Sequence, residues 1–178
     1  GLDGLDLLTA RAKNILVTYT PDAPAPAVAE LTLGLMICLL RNIHVSNAEM
    51  HKGGWERHFG RRIADITIGI IGAGRIGQRV LRRTKSFGTP KIVVNDLITY
   101  PNLEREFKLH WVTKDTIYRQ SDIISLHLPL TTKTRNMITR KEMYNMKLDA
   151  MLINTSRGGI INEQDLFEVL KKGHLQGA

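Results

Sequence analysis

Residues Ile68-Gly69-Ile70-Ile71 form a short apolar run that leads directly into Gly72-Ala73-Gly74-Arg75-Ile76-Gly77. The pattern is a strand, then a G-x-G-x-x-G turn, then the start of a helix, and nothing else in the chain narrows the choice of fold as much. Gly72 permits the tight turn, Gly74 leaves room for a pyrophosphate to approach the backbone, and Gly77 lets the helix pack closely on the strand. The free N–H groups and positive dipole end of the new helix then face the phosphates. Asp96 stands about 20 residues further on, just after the next apolar run, Ile92-Val93-Val94-Asn95. A carboxylate there can accept both ribose hydroxyls of an adenosine. Without a ligand the turn would be only a tight strand-to-helix connection, and Asp96 favours the dinucleotide.

The rest of the chain supports the same architecture. From Thr67 onward short apolar segments alternate with helical ones. Strands are expected at 67–71, 91–95, 108–112, 122–126 and 149–154, and helices near 75–87, 113–120, 139–146 and 163–172. The strands lack strict polar alternation, as expected when helices cover both faces. This predicts an α/β fold with a doubly wound parallel sheet and right-handed crossovers, a Rossmann-type, three-layer αβα domain. Ligands in such sheets bind at the carboxyl ends of the strands, near the switch in strand order. Gly72, Asp96, Leu128 and Thr155 all fall at such ends, so the motifs converge on one crevice.

Before Thr67 the reading is a short helix at 5–12, a strand at 15–18, and a stiff connector Pro21-Asp22-Ala23-Pro24-Ala25-Pro26 that is non-helical inside. One long helix is expected from Ala27 to about His51. Its centre is apolar all round, which calls for burial on more than one side, by the body of the protein or by a partner. Gly53-Gly54 end it, and a basic connection from Trp55 to Arg62 enters the sheet.

At 178 residues the chain holds one well-packed domain with little left for a second. Lys and Arg exceed the acids to give a net charge of +8, but they are scattered among carboxylates rather than banded, so no nucleic-acid partner is expected. The only cysteine, Cys38, excludes an intrachain disulfide and fits a reducing, cytoplasmic setting. The longest apolar run, from Leu31 to Leu40, is well short of the roughly 20 residues that cross a bilayer, so no membrane association is expected. The chain starts at Gly1 without methionine and stops just after a helix, where the alternation calls for another strand. It reads as a piece of a longer protein.

Three positions carry chemistry beyond the glycine turn. Asp96 accepts from a 2′-hydroxyl and repels a 2′-phosphate, and Leu97 and Ile98 offer no cation to rescue one, which favours NAD over NADP. Ser125-Leu126-His127-Leu128-Pro129-Leu130-Thr131 closes the fourth strand; His127 there is either a cofactor contact or a structural histidine. Leu152-Ile153-Asn154-Thr155-Ser156-Arg157-Gly158-Gly159 delivers small polar residues and then an arginine to the mouth of the sheet. The fork of Arg157 suits a carboxylate and a neighbouring carbonyl together, and a cation aimed at that carbonyl would stabilise the charge that hydride transfer builds on it. A surface ion pair with Glu163 or Asp165 is the alternative.

Taken together, Gly-Ala-Gly-Arg-Ile-Gly, Ser-Leu-His-Leu-Pro-Leu-Thr and Asn-Thr-Ser-Arg-Gly-Gly-Ile-Ile-Asn resemble the D-isomer-specific 2-hydroxyacid dehydrogenases, a family that includes phosphoglycerate dehydrogenase. Gly1-Leu2-Asp3-Gly4-Leu5-Asp6 is similar to the family's Gly-x-Asp-x-Ile-Asp stretch, and Ala27-Val28-Ala29-Glu30 to the start of its interdomain helix. The resemblance implies that Gly72, Gly74 and Gly77 form the cofactor turn. Arg75 and Ile76 would meet the pyrophosphate through their backbone, and Asp96 the adenosine ribose. Leu128, Pro129 and Thr134 would line the adenine side, while Thr155, Ser156 and Arg157 would border the nicotinamide. Arg157 would be catalytic, orienting the substrate carboxylate and polarising its carbonyl. Residues 1–26 would be the edge of a substrate domain and hinge, and 27–178 an NAD-binding domain.

The implied activity is hydride transfer between NAD(H) and a D-2-hydroxy acid or 2-keto acid, with a homodimer formed through helix 28–43 and no metal. The family's acid–base histidine and its supporting glutamate would lie beyond Ala178, so this piece alone would turn over nothing. His174 is not a substitute. Tyr19, Pro24 and Pro26 depart from the family pattern and leave the subfamily open. Two other readings remain open on the residues alone: a non-enzymatic NAD sensor of the same family, and a methyltransferase using the same turn, against which Asn154 to Gly159 argue.

Overall fold

The structure, a computed structural model, describes Leu2 and residues 4–178; Gly1 and Asp3 of the N-terminal motif lie outside the described residues. Five parallel strands form its centre: β1 (Thr67–Ile71), β2 (Lys91–Asn95), β3 (His110–Trp111), β4 (Ile123–Leu126) and β5 (Met151–Asn154). Their spatial order is β3-β2-β1-β4-β5. The sequence order therefore reverses between β1 and β4, the switch point at which α/β sheets bind ligands. Ile70 pairs with Val94 on one side and Ser125 on the other, and Ile71 with Asn95 and Leu126, so all three strands end level. Beyond β5, Gly177 forms a parallel bridge to Met151, where the alternation calls for the next strand.

Alternate strand residues feed two separate cores. Ile68, Ile70, Ile92, Val94, Met151 and Ile153 pack under α2 (Ala25–Leu40), α4 (Arg75–Thr84) and α5 (Pro101–Phe107). Ile71, Val93, Ile124, Leu126 and Leu152 pack under α6 (Lys114–Gln120), α7 (Arg140–Tyr144) and α8 (Glu163–Lys171). The period-2 direction of strand side chains thus converts continuous apolar runs into two buried faces. At the amino end of the sheet Asp122 accepts from Thr67 N–H at 2.7 Å and from Arg61 and Lys147 at 3.1 Å. Burial works against its charge, but the Thr67 N–H and the two cations hold its carboxyl below the usual carboxylate range.

Several elements differ from the sequence reading. No strand forms at 15–18; residues 15–20 are irregular, and Ile15 and Leu16 are exposed. Among the described residues no neighbouring strand is present to take up the backbone groups a strand would leave unpaired. The connector does become helical, since α2 begins at Ala25 with Pro26 in its first turn, where a missing N–H costs nothing. The long helix is two helices, α2 and α3 (Ile43–Met50), bent by 68°. The break is Asn42, which takes the left-handed conformation that asparagine tolerates (φ 53°) and donates its side-chain amide to Phe59 O. Helix α5, begun by Pro101 and anchored by buried Leu103, fills a stretch for which the sequence pattern predicts no helix. It ends at left-handed Lys108, and the strand that follows is two residues long, His110–Trp111, rather than 108–112. Helix α1 (Leu7–Ala12) matches expectation and is capped by Asp6.

Among the described residues no single helix is long and apolar enough to cross a membrane; the bent pair α2 and α3 passes only jointly, by length and composition.

Candidate functional site

The crevice is built outward from the end of β1. Gly72 N–H continues the ladder to Asn95 O at 2.8 Å, and His127 N–H to Ile71 O at 2.8 Å, so the glycine turn is clamped from both neighbouring strands. Gly72 has φ 98°, and a Cβ there would lie 2.4 Å from His127 O. A Cβ on Gly77 would lie 2.1 Å from Gly72 O, which is the close approach of helix to strand. Gly74 is different. Its φ is −74°, and a Cβ would meet nothing within 4 Å. Neither backbone nor packing demands glycine at that position; the space it leaves lies at the N-terminus of α4, which has no side-chain cap among the described residues. Those uncapped N–H groups and the dipole suit a pyrophosphate.

Asp96 is half-buried at the end of β2 and accepts from Ala73 N–H at 2.6 Å and Ile98 N–H at 3.2 Å. The carboxylate therefore braces the glycine turn as well as standing beside it. Each oxygen keeps a lone pair for a ribose hydroxyl. Arg75 is exposed, 3.9 Å from Asp22 of the connector, and Arg79 holds the same carboxylate at 2.9 Å.

The β4 loop presents Leu128 half-buried and Pro129 exposed. Thr134 closes that loop: its hydroxyl donates to Pro129 O and accepts from Thr131 N–H, both at 2.7 Å. His127 keeps part of its surface open, but its ring is packed into protein. Its Nδ1 is shut off from solvent, and its Nε2 lies 3.0 Å from Ser125 Oγ. Burial pushes its pKa down to about 4, so at neutral pH it is uncharged. His174 packs edge-on against Tyr144, with ring centroids 4.8 Å apart.

At the end of β5, Asn154 organises the turn that presents the arginine. Its Oδ1 accepts from Ser156 N–H (3.1 Å) and Ser156 Oγ (2.6 Å), while its Nδ2 donates to Arg157 O at 2.7 Å. Arg157 is exposed at the mouth of the sheet, with Nη1 donating to Ser156 O at 2.7 Å. The Thr155 hydroxyl lies 2.9 Å from that of Thr32 in α2. Asn154 and Thr32 are the site residues that sequence reasoning missed. An Asn two places before Ser is an Asx-turn signal, and Thr32 is a lone polar residue in an apolar helical run.

The glycine turn, an adjacent carboxylate and an open helix N-terminus at the switch point fit a dinucleotide. Residues 33–178 match the family D-isomer specific 2-hydroxyacid dehydrogenase, NAD binding domain. The chain belongs to this family. Its cofactor is NAD. The chain is 39% identical over 180 residues to hydroxypyruvate reductase of Thermotoga maritima, covering 100% of this chain and 58% of that protein. It is 39% identical over 181 residues to D-3-phosphoglycerate dehydrogenase of Methanocaldococcus jannaschii, again over 100% of this chain and 34% of that protein. The crystal structure of D-lactate dehydrogenase with NAD+ from Lactobacillus jensenii is similar at a TM-score of 0.85 and 34% identity, over 99% of this chain and 53% of that one. The chain thus spans between 34% and 58% of the length of these proteins.

Proposed function

We propose that the protein carrying this chain is an NAD-dependent oxidoreductase that moves a hydride between NAD(H) and a D-2-hydroxy acid or 2-keto acid. The chain supplies its cofactor domain. The observation that carries this reading is the Asn154-held turn, which sets Arg157 at the same strand-end crevice as the glycine turn and Asp96. Arg75 and Ile76 take the pyrophosphate on their backbone N–H groups, and Asp96 takes the adenosine ribose. Leu128 and Pro129 shape the adenine side, with Thr134 contributing through its loop rather than by a hydrogen bond of its own. Thr155, Ser156 and Arg157 border the nicotinamide.

NAD supplies the hydride acceptor or donor. The planar guanidinium of Arg157 orients the substrate carboxylate and stabilises charge on the adjoining carbonyl oxygen. His127, held neutral with its ring bonded to Ser125, is not placed to exchange the hydroxyl proton, so the acid–base group belongs to the rest of the protein. The test is NADH oxidation by the intact protein with glyoxylate, hydroxypyruvate and pyruvate. Arg157→Gln should lower kcat/KM at least about 100-fold while NADH affinity changes little. Full activity in that variant would refute the role of Arg157.

A homodimer through α2 and α3 is part of the proposal. One face of α2 is buried against the sheet, yet Leu31 remains 56% exposed, and Trp55 and Phe59 just beyond α3 are 88% and 90% exposed. Large apolar side chains left open along one contiguous segment suit a second copy. Leu31→Asp with Leu35→Glu should shift the intact protein to monomer in sedimentation velocity; an unchanged dimer would place the interface elsewhere. Exposed Leu8, Leu16 and Tyr19 similarly support the assignment of residues 1–26 to the edge of a substrate domain. Arg79, Arg82 and Arg83 of α4 pair with Asp22, Glu106 and Glu30, which supports a protein without a nucleic-acid partner. The single cysteine of the chain, Cys38, needs no oxidising setting, which supports placing the protein in the cytoplasm.

A further inference from the structure

Thr32 lies in the middle of α2, fully buried and 123 positions before Thr155 in the chain, yet its hydroxyl touches the Arg157 turn. Its Oγ1 makes two contacts: Val28 O at 2.8 Å and Thr155 Oγ1 at 2.9 Å. A carbonyl oxygen only accepts, so the single hydroxyl hydrogen of Thr32 is spent on Val28. The contact with Thr155 then has one polarity: Thr155 donates and Thr32 accepts. With its hydrogen drawn inward, the Thr155 hydroxyl has only lone pairs left for the crevice.

The strand order says which half of the cofactor reaches it. The pyrophosphate position lies over α4 at the end of β1, and Asp96 on β2 takes the adenosine ribose. The remaining half must extend the other way, across β4 towards β5, where Thr155 immediately follows the strand. Its neighbours are already committed, Asn154 and Ser156 to the turn and Arg157 Nη1 to Ser156 O. The nicotinamide carboxamide carries N–H donors and seeks an acceptor.

We propose that Thr32 is a positioning residue that fixes Thr155 as a hydrogen-bond acceptor for the carboxamide N–H of the nicotinamide. The proposal rests on the cofactor placement given under Proposed function. It also ties the nicotinamide end of the crevice to α2, the helix whose outer face is left apolar.

The test compares binding of NAD with that of 3-acetylpyridine adenine dinucleotide, by calorimetry on the intact protein. The analogue replaces the carboxamide NH2 by a methyl group and keeps the rest of the molecule. Thr32→Val, close to isosteric, should weaken NAD about five- to tenfold, the size of one hydrogen bond, and leave the analogue within about twofold. Thr32→Ser should restore NAD. Thr155→Val should show the same selective loss, and the double variant no further loss. An equal fall for both ligands would show a merely structural role, and no change for either would show no role; each overturns the proposal. If wild type binds neither dinucleotide, the cofactor placement itself fails, and this inference with it.

Discussion

Burial of His127 ties the stability of the glycine crevice to pH. The folded ring titrates at about 4, whereas an unfolded histidine titrates near 6.5, because burial disfavours the imidazolium. The unfolded chain therefore takes up a proton that the folded chain refuses. Stability contributed by neutral His127 is complete above pH 6.5 and drains away as the pH falls towards 4. Between pH 6.5 and 5 the unfolded state gains about 1.5 pH units of protonation advantage, or about 2 kcal/mol. Urea denaturation at pH 7 and pH 5, run on wild type and on a variant that cannot titrate at this position, isolates that loss as a difference. The control is His127→Gln, which retains a polar group near the position of Nε2 and cannot titrate.

His58 acts in the opposite sense. Its hydrogen bond to Glu49 raises its pKa, so its contribution is present below the unfolded value and lost as the pH rises through the folded one. That contribution is common to wild type and variant and cancels in their difference. The variant should therefore lose about 2 kcal/mol less than wild type over the interval. Equal losses in the two proteins would refute the argument.

The glycine turn separates fold from ligand. Gly74→Ala should leave the urea midpoint unchanged, since a Cβ there meets nothing, and weaken NAD at least about tenfold by filling the pyrophosphate's approach. Gly77→Ala, whose Cβ lies on Gly72 O, should instead cost about 1–3 kcal/mol of stability in the same denaturation. Asp96→Ala should lower the ratio of NAD to NADP affinity at least about tenfold by titration with both, and also lower the melting temperature because Ala73 N–H loses its acceptor.

Local and periodic features were legible in the residues. The five strands that alternate with helices, the glycine turn, Asp96 and the Asn154 to Gly159 segment could be placed because apolar runs and small polar stops are set by neighbours along the chain. Helix α5 escaped because its single buried anchor, Leu103, gives no periodic stripe. The bend at Asn42 escaped because an apolar run leading into it masks one left-handed residue. The double duty of Asp96, and the commitment of the Thr134 hydroxyl within its own loop, depend on backbone groups that only the folded loops bring near.

By itself the sequence determined a parallel α/β domain, a dinucleotide turn with a preference for NAD, and an arginine at the mouth of the sheet. Period and spacing encode those directly. The tertiary structure alone decided that Gly74 is spared for a ligand while Gly72 and Gly77 serve the fold. It also decided that His127 is held neutral, and that Thr32 reaches Thr155 across 123 positions of chain. The physical reason is shared: clearance, burial and hydrogen-bond polarity belong to contacts between segments, and no segment carries them alone.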